Sequence, residues 1–433
     1  MDMMRKDSRK VKRTLYPTKT IMTRSQCLTS TSHFHRLPAE VFNMILDKVS
    51  VLELSVFSMV SKEISRCVME YISTLAWRKK TITQNHSSCL EQGSTNGPFR
   101  NLGLLFKRCT LFLPAKDKLK FIFSQLSKIP CFMLEQCLVP NCSGFARCGV
   151  FLQTLTAQWD ELECHRVFNF LWEHTNLLQK IETVIYAKPG TRWYQELQLR
   201  SFCRQVLLDP RQNQPSECQF WLIQLLKPWP IVSQARLLFI LYGPLMPEGT
   251  LVWQDLVERG LSHGALWDLA TSFLLLIGKR EVKGWTSNSM LAILEELIVI
   301  PQPWHVENVA RLLVLCGNTL CYTVLANKAL NGRLAEISRL IVFIILVSEK
   351  DSYNMSNVVK LVIRICKIFS TSAEKTGFIQ QLENMFSEIT REFFEGTTLK
   401  TGRLSRACVS SWTPVLVSTL NSSFRCQCKN DAD

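Results

Sequence analysis

The chain has 433 residues, 47% of them apolar and 20% charged, a balance that suits a globular protein with a sizeable core and excludes a mostly disordered one. Only 17 Gly and 16 Pro punctuate it, too few for many short strands and turns, while abundant Leu, Lys, Glu and Arg favour helix. The net charge of +15 is uneven, since residues 1–36 hold nine Lys/Arg against two Asp and so carry about half of the excess.

Residues 1–33 lack hydrophobic periodicity and are expected to form a disordered basic tail. Its run "RKDSRKVKR" at 5–13 suits a nuclear-import signal, a loose hold on nucleic-acid phosphates, or simply a solvated tail. No apolar core follows the charged start, as a secretory signal requires. The longest apolar run, "LIVFIILV" at 340–347, is far short of the roughly 20 residues of a membrane span. A soluble protein of the nucleus and/or cytoplasm, with no membrane partner, is expected.

Residues 35–78 form a compact apolar block that includes "RLPAEVFNMILDKVSVLELSVFSMVSK". Pro38 suits the first position of a helix, where its missing N–H costs nothing. Val41, Phe42, Ile45, Leu46 and Val49 then make one apolar stripe. Ser50 with Glu53 three residues on signals a capped second helix. Its stripe runs through Leu54, Phe57, Val60 and Ile64, and Val68, Tyr71 and Ile72 continue into a third helix. A unit of this size cannot bury so many large side chains by itself, so the surplus must meet the next domain or another protein.

The polar stretch 79–99, containing "TITQNHSSCLEQGSTNGPF", reads as a linker. From 100 to 394 amphipathic patterns recur at helical spacing between short Pro/Gly breaks such as "AKPG" and "YGPLMPEG". An internal repeat stands out. "PWPIVSQARLL" at 228–238 and "PWHVENVARLL" at 303–313 match at Pro, Trp, Ala, Arg and both Leu without a gap. A fainter copy is "WDELECHRVFNFL" at 159–171. Trp159, Trp229 and Trp304 each lie seven residues before an arginine, Arg166, Arg236 and Arg311, which on one helix would put both on one face. Separations of 70 and 75 residues suit two helical pairs of HEAT or armadillo length. Stacked pairs of that kind commonly grip proteins. Residues 395–433 lose the periodicity and are expected to be poorly ordered.

Chemistry is hard to place. No phosphate-binding glycine loop, zinc-protease helix or serine-hydrolase elbow occurs, and no cofactor is implied. Cys164 and His165 are adjacent, so on a helix their side chains point apart. Asp160, Glu161 and Glu163 suit a solvated helix start. Cys131, Cys137, Cys142 and Cys148 are spaced more widely than zinc ligands usually are, and Cys426-x-Cys428 is weaker still, so unligated thiols are the better reading and no metal is expected.

The ordered set Leu37-Pro38, Glu40, Ile45-Leu46, Val49, Glu53-Leu54 and Val60-Ser61-Lys62 resembles the F-box family, the module that docks on Skp1 in Skp1–cullin–F-box ubiquitin ligases. The family often has Trp four residues after the Val; this chain has Ile64. The resemblance implies Skp1 contact by Leu37, Pro38, Glu40, Ile45, Leu46, Val49, Leu54, Val60 and Ile64. It also implies a non-enzymatic adaptor that holds a protein target while a recruited conjugating enzyme transfers ubiquitin. "LGLLFKRCTLFLP", "FLQTLTAQWDELECHRVFNFL" and "LKPWP" with "QARLL" extend the likeness, over about 35–394, to a branch of the family without the usual WD40 or leucine-rich substrate domain. The expected fold is all-α, a three-helix F-box followed by an α-solenoid-like stack of HEAT/armadillo type. The rival readings are a nuclear scaffold whose F-box-like segment packs on its own helical domain, and a nucleic-acid-binding protein, which lacks the expected aromatic-plus-basic motif.

Overall fold

Side-chain caps cut the N-terminal block into short helices. The computed structural model describes residues 37–83, 97–127, 132, 142–208, 215–277 and 285–395. The basic tail, the centre of the linker, Cys131, Cys137 and everything beyond Glu395 lie outside these residues. Helix α1 (Ala39–Leu46) starts after Pro38, which is its N-cap and so stands one residue before the expected place. Helix α2 (Val51–Phe57) has the expected reciprocal cap, with Glu53 N–H donating to Ser50 Oγ at 3.3 Å and Ser50 N–H to Glu53 Oε2 at 2.9 Å. Ser61 Oγ accepts from Ile64 N–H at 3.1 Å and starts α3 (Lys62–Ile72). That cap divides the expected Leu54–Phe57–Val60–Ile64 stripe, so Val60 falls in the connection and Ile64 on α3. After α4 (Leu75–Arg78) a π-helical turn, Lys79–Thr83, continues into residues expected as linker.

The second part begins at α5 (Gly97–Cys109), followed by α6 (Ala115–Leu126), α7 (Ser143–Thr156), α8 (Glu161–His174) and α9 (Leu177–Ile185). Then come α10 (Trp193–Val206), α11 (Pro215–Leu226), α12 (Ile231–Tyr242), α13 (Asp255–Glu258), α14 (Trp267–Leu276) and α15 (Ser287–Leu297). The series ends with α16 (Val306–Leu315), α17 (Asn318–Leu330), α18 (Leu334–Lys350), α19 (Met355–Cys366) and α20 (Ser372–Glu395). The described residues contain no strand, only an isolated antiparallel bridge between Leu245 and Leu251. No described helix is long and apolar enough to cross a membrane.

Packing runs as a relay. Helix α2 lies on α5, α5 on α7, α7 on α10 and α10 on α12; α12 meets α14 and α15, α14 meets α16, α16 meets α18 and α18 meets α20. Flanking helices pair beside that row, α6 with α8, α8 with α9, and α17 with α19. One apolar cluster extends from Phe42 to Ile389, so the architecture is the expected all-α, solenoid-like stack. Helices α5 and α7 approach so closely that a Cβ on Gly103 would come within 2.9 Å of both Phe151 O and Thr154 Cβ. The N-terminal block shares this core. Arg108 on α5 donates to Ser55 Oγ at 2.8 Å, and Ser65 Oγ donates to Cys109 O at 2.7 Å.

Candidate functional site

The N-terminal helices turn two different faces outward and inward. Phe42, Leu46, Leu54, Ile64, Val68 and Ile72 are buried. Leu46, Leu54 and Ile64 were expected at a partner surface; they are buried in the shared core instead, where α1 packs on α3 and both α2 and α3 pack on α5. Tyr71 Oη donates to Asp47 Oδ1 at 2.5 Å, tying the end of α1 to α3. Burial, with that carboxylate beside it, pushes the phenol's pKa up.

The other expected residues remain accessible. Leu37, Pro38, Glu40, Ile45 and Val60 are exposed and Val49 is half-buried. Val41, Met44, Leu52, Val56 and Met59 join them, with Met44 at 68% and Val60 at 67% exposure. Of the 23 large apolar side chains exposed among the described residues, nine lie within 37–75, about an eighth of those residues. Scattered exposed apolar residues are ordinary, but a concentration of them marks an interaction surface. Of these five, Val41 is already in the stripe read for the first helix, and the signal for the other four was available, since α1 and α2 are apolar over more than one stripe.

The repeat residues group unevenly. Each Trp sits immediately before the N-cap of a helix, ahead of Asp160 and α8, Pro230 and α12, or His305 and α16, and each Arg is the sixth residue of that helix. The tryptophans are therefore off the helix, and the shared-face inference does not hold. Trp229 and Trp304 are both buried, and Trp304 Nε1 donates to Ile300 O at 2.9 Å whereas Trp229 Nε1 has no partner among the described residues. Trp159 is half-buried with Lys118 Nζ 4.8 Å from its ring centroid, and Arg166 is exposed.

Arg311 is fully buried, donating from Nε to Asp351 Oδ2 at 3.0 Å, from Nη2 to Glu307 Oε1 at 2.9 Å and from Nη1 to Leu261 O at 2.8 Å. Lys350 Nζ also reaches Glu307 Oε1, at 2.9 Å. Burial disfavours the Glu307 carboxylate, but Lys350 and Arg311 outweigh it and hold its pKa below the ordinary value. Arg236 is 9% exposed, and its Nε and Nη2 have no partner among the described residues. It lines a cavity of about 840 Å³ between the 185–196 region, α12, the 250–254 turn and residues 300–302.

The remaining candidates are structural. Asp160 Oδ1 accepts from Glu163 N–H at 2.7 Å as the cap of α8. Burial, with the Glu217 and Asp160 carboxylates nearby, pushes the Cys164 thiol up to about 11, the reverse of an activated nucleophile, and His165 is exposed. Of the spaced cysteines, Cys142 and Cys148 are buried in the core, while Cys131, Cys137, Cys426 and Cys428 lie outside the described residues.

Comparison with known families finds two matches along the chain. Residues 34–72 match the F-box domain, and residues 173–408 match the family described as FBXO47, ARM repeats. The molecule is thus an F-box protein whose second part is built of ARM repeats. F-box only protein 47 of Mus musculus is 45% identical over 377 residues, 86% of this chain and 83% of that protein. Its counterpart of Homo sapiens is 44% identical over 384 residues, 87% of this chain and 84% of that protein. The chain belongs to the F-box only protein 47 family. No solved structure matches it. The ARM match begins within α8, so it takes in both Pro-Trp copies and leaves the 159–171 copy outside.

Proposed function

We propose that the chain is a non-catalytic substrate adaptor of a Skp1–cullin–F-box ubiquitin ligase. The exposed apolar face of α1, α2 and the 59–60 connection would bind Skp1, and the helical stack would bind a protein target. The observation that carries this reading is the concentration of exposed large apolar side chains in a segment that matches the F-box. Burial of such residues at an interface returns roughly 25 cal/mol per Å² of apolar area, which is what makes their exposure in the free chain informative. Ubiquitin transfer then needs only proximity, since the recruited conjugating enzyme brings the reacting groups. The basic tail would direct the protein to the nucleus.

The packing of α2 and α3 on α5 favours a second reading, in which the F-box serves only its own helical domain. The two readings use different residues. Leu54 and Ile64 serve the internal contact, whereas Met44, Ile45, Val56 and Val60 have no internal use that their exposure reveals. Co-purification of Skp1 with the intact chain, and its loss on Val60→Asp with unchanged thermal stability, supports the adaptor. Absence of Skp1 from the wild-type preparation selects the internal reading.

A further inference from the structure

The two strong repeat copies differ at the positions that serve their arginine. Aligned without a gap, Val232 stands where Glu307 stands, and Ser233 where Asn308 stands. In the second copy Glu307, Asp351 and Leu261 O between them accept from all three guanidinium nitrogens of Arg311. Asn308 ties down the neighbouring turn, donating to Leu256 O and Arg259 O and accepting from Leu261 N–H. In the first copy that carboxylate is absent. Val232 is 51% exposed and lines the cavity beside Arg236 and Ser233.

A buried guanidinium with two unpartnered nitrogens is unusual, because the desolvation of a charge is costly unless it is paired. Glu196 is the carboxylate that acts on Arg236, yet it makes no hydrogen bond to the guanidinium's Nε or Nη2. Oε1 accepts from Gly190 N–H and Oε2 from Trp253 Nε1, each at 3.1 Å. Burial pulls the Arg236 pKa down and the Glu196 charge only partly opposes it. The Arg236 guanidinium carbon lies 6.0 Å from the centroid of the Trp253 ring, and Glu196 is the carboxylate among the described residues of the cavity lining. Exposed Lys188 adds a second cation to the cavity lining, and Trp193 and Pro301 give that lining apolar surface.

We propose that this cavity receives an anionic group, a carboxylate or a phosphate, carried on an apolar-flanked peptide segment of a partner protein. The ligand supplies to Arg236 what Glu307 and Asp351 supply to Arg311. A planar guanidinium suits both anions in geometry and charge. The cavity, within the roughly 300–1,000 Å³ typical of ligand sites, is far larger than a lone anion needs, so an apolar body must accompany the charge. That the peptide belongs to a ubiquitination target rests on the adaptor reading; the binding itself does not.

The test is ¹⁹F NMR of the full chain labelled with 5-fluorotryptophan, following Trp193 and Trp253 as assigned by single Trp→Phe changes. The probes are acetyl-phosphothreonine methylamide, acetyl-glutamate methylamide and, as the neutral control, acetyl-glutamine methylamide. At least one anionic probe is expected to shift both resonances saturably while the neutral probe does not, and the tighter arm tells phosphate from carboxylate. Val232→Glu restores the internal carboxylate of the second copy, so it should weaken binding by about tenfold or more without lowering the melting temperature. Lys188→Glu, at an exposed residue, should weaken it by several-fold. The proposal is overturned if neither anion shifts the two signals, if the neutral probe shifts them equally, or if Val232→Glu binds like the wild type. No Skp1 is present in the titration, so failure here leaves the adaptor reading intact, and failure of Skp1 binding leaves this result intact.

Discussion

Replacing Arg311 with Met keeps the unbranched aliphatic stem but removes the cation at the centre of a buried network. Asp351, whose side chain is also buried, loses its 3.0 Å partner and among the described residues retains only His263 Nδ1 at 3.4 Å. Glu307 fares better, keeping Lys350 at 2.9 Å. Removing one member of a buried pair typically costs about 3–5 kcal/mol, and the surviving partners place this case near 3. At roughly 2–4 °C per kcal/mol for a domain of this size, the melting temperature should fall by about 10 °C. Adding Asp351→Asn should restore part of the loss, since the stranded anion leaves with its cation. The network also has an acid signature. The Glu307 pKa is depressed in the folded chain, so its contribution is present above the ordinary value of 4.5 and is lost as pH falls below it through the folded value. Arg311→Met should flatten that acid dependence. Thermal and urea unfolding of the single and double variants measure both effects. A single variant within about 1 kcal/mol of wild type, or an Asp351→Asn change that adds to the loss, would refute the reasoning.

Met44→Asp and Val60→Asp should each weaken Skp1 association by about 2 kcal/mol or more at unchanged melting temperature, measured by calorimetry on purified proteins. Leu54→Ala should instead cost about 2–5 kcal/mol of stability, and affect Skp1 only through unfolding. Deleting residues 1–30 should reduce nuclear accumulation, scored by imaging of a tagged chain, while Skp1 capture stays at the wild-type level. Burial pushes the thiols of Cys109, Cys316, Cys321 and Cys366 up to about 12, so mass spectrometry should find them unalkylated in the native protein and alkylated after denaturation.

The helical class, the capped start of α2 and the burial of both Pro-Trp tryptophans are local matters, and the sequence carries them in spacing and cap residues. What escaped it depended on contacts between distant segments. Leu46, Leu54 and Ile64 belong to the F-box pattern, yet a pattern does not say which of its apolar members face inward; the packing of α1 on α3, and of α2 and α3 on α5 more than 30 residues on, decides that. The matched arginines of the repeat look equivalent in sequence, but Asp351, 40 residues beyond Arg311, completes one network, whereas among the described residues nothing bonds to Nε or Nη2 of Arg236. The seven-residue Trp–Arg spacing misled because the Trp precedes the cap, where helical geometry does not apply.

The contact between α2 and α5 bears on how an adaptor would work. Proximity catalysis depends on how narrowly the target is held relative to the ubiquitin-charged enzyme, and a long free linker would spread that distance. Residues 84–96 join the two parts in sequence, but Arg108–Ser55 and Ser65–Cys109 join them in space, with the shared apolar cluster beneath. The close fit of Gly103 against α7 carries the same constraint into the next helix. Any side chain at Gly103 must push α5 away from Phe151 and Thr154, and α5 takes α2 with it. The F-box surface and the Arg236 cavity are therefore positioned by one continuous relay of helices, α2–α5–α7–α10–α12, rather than by two independent folds. On the adaptor reading, a change at Gly103 would leave both binding surfaces chemically intact and still misplace a target relative to Skp1.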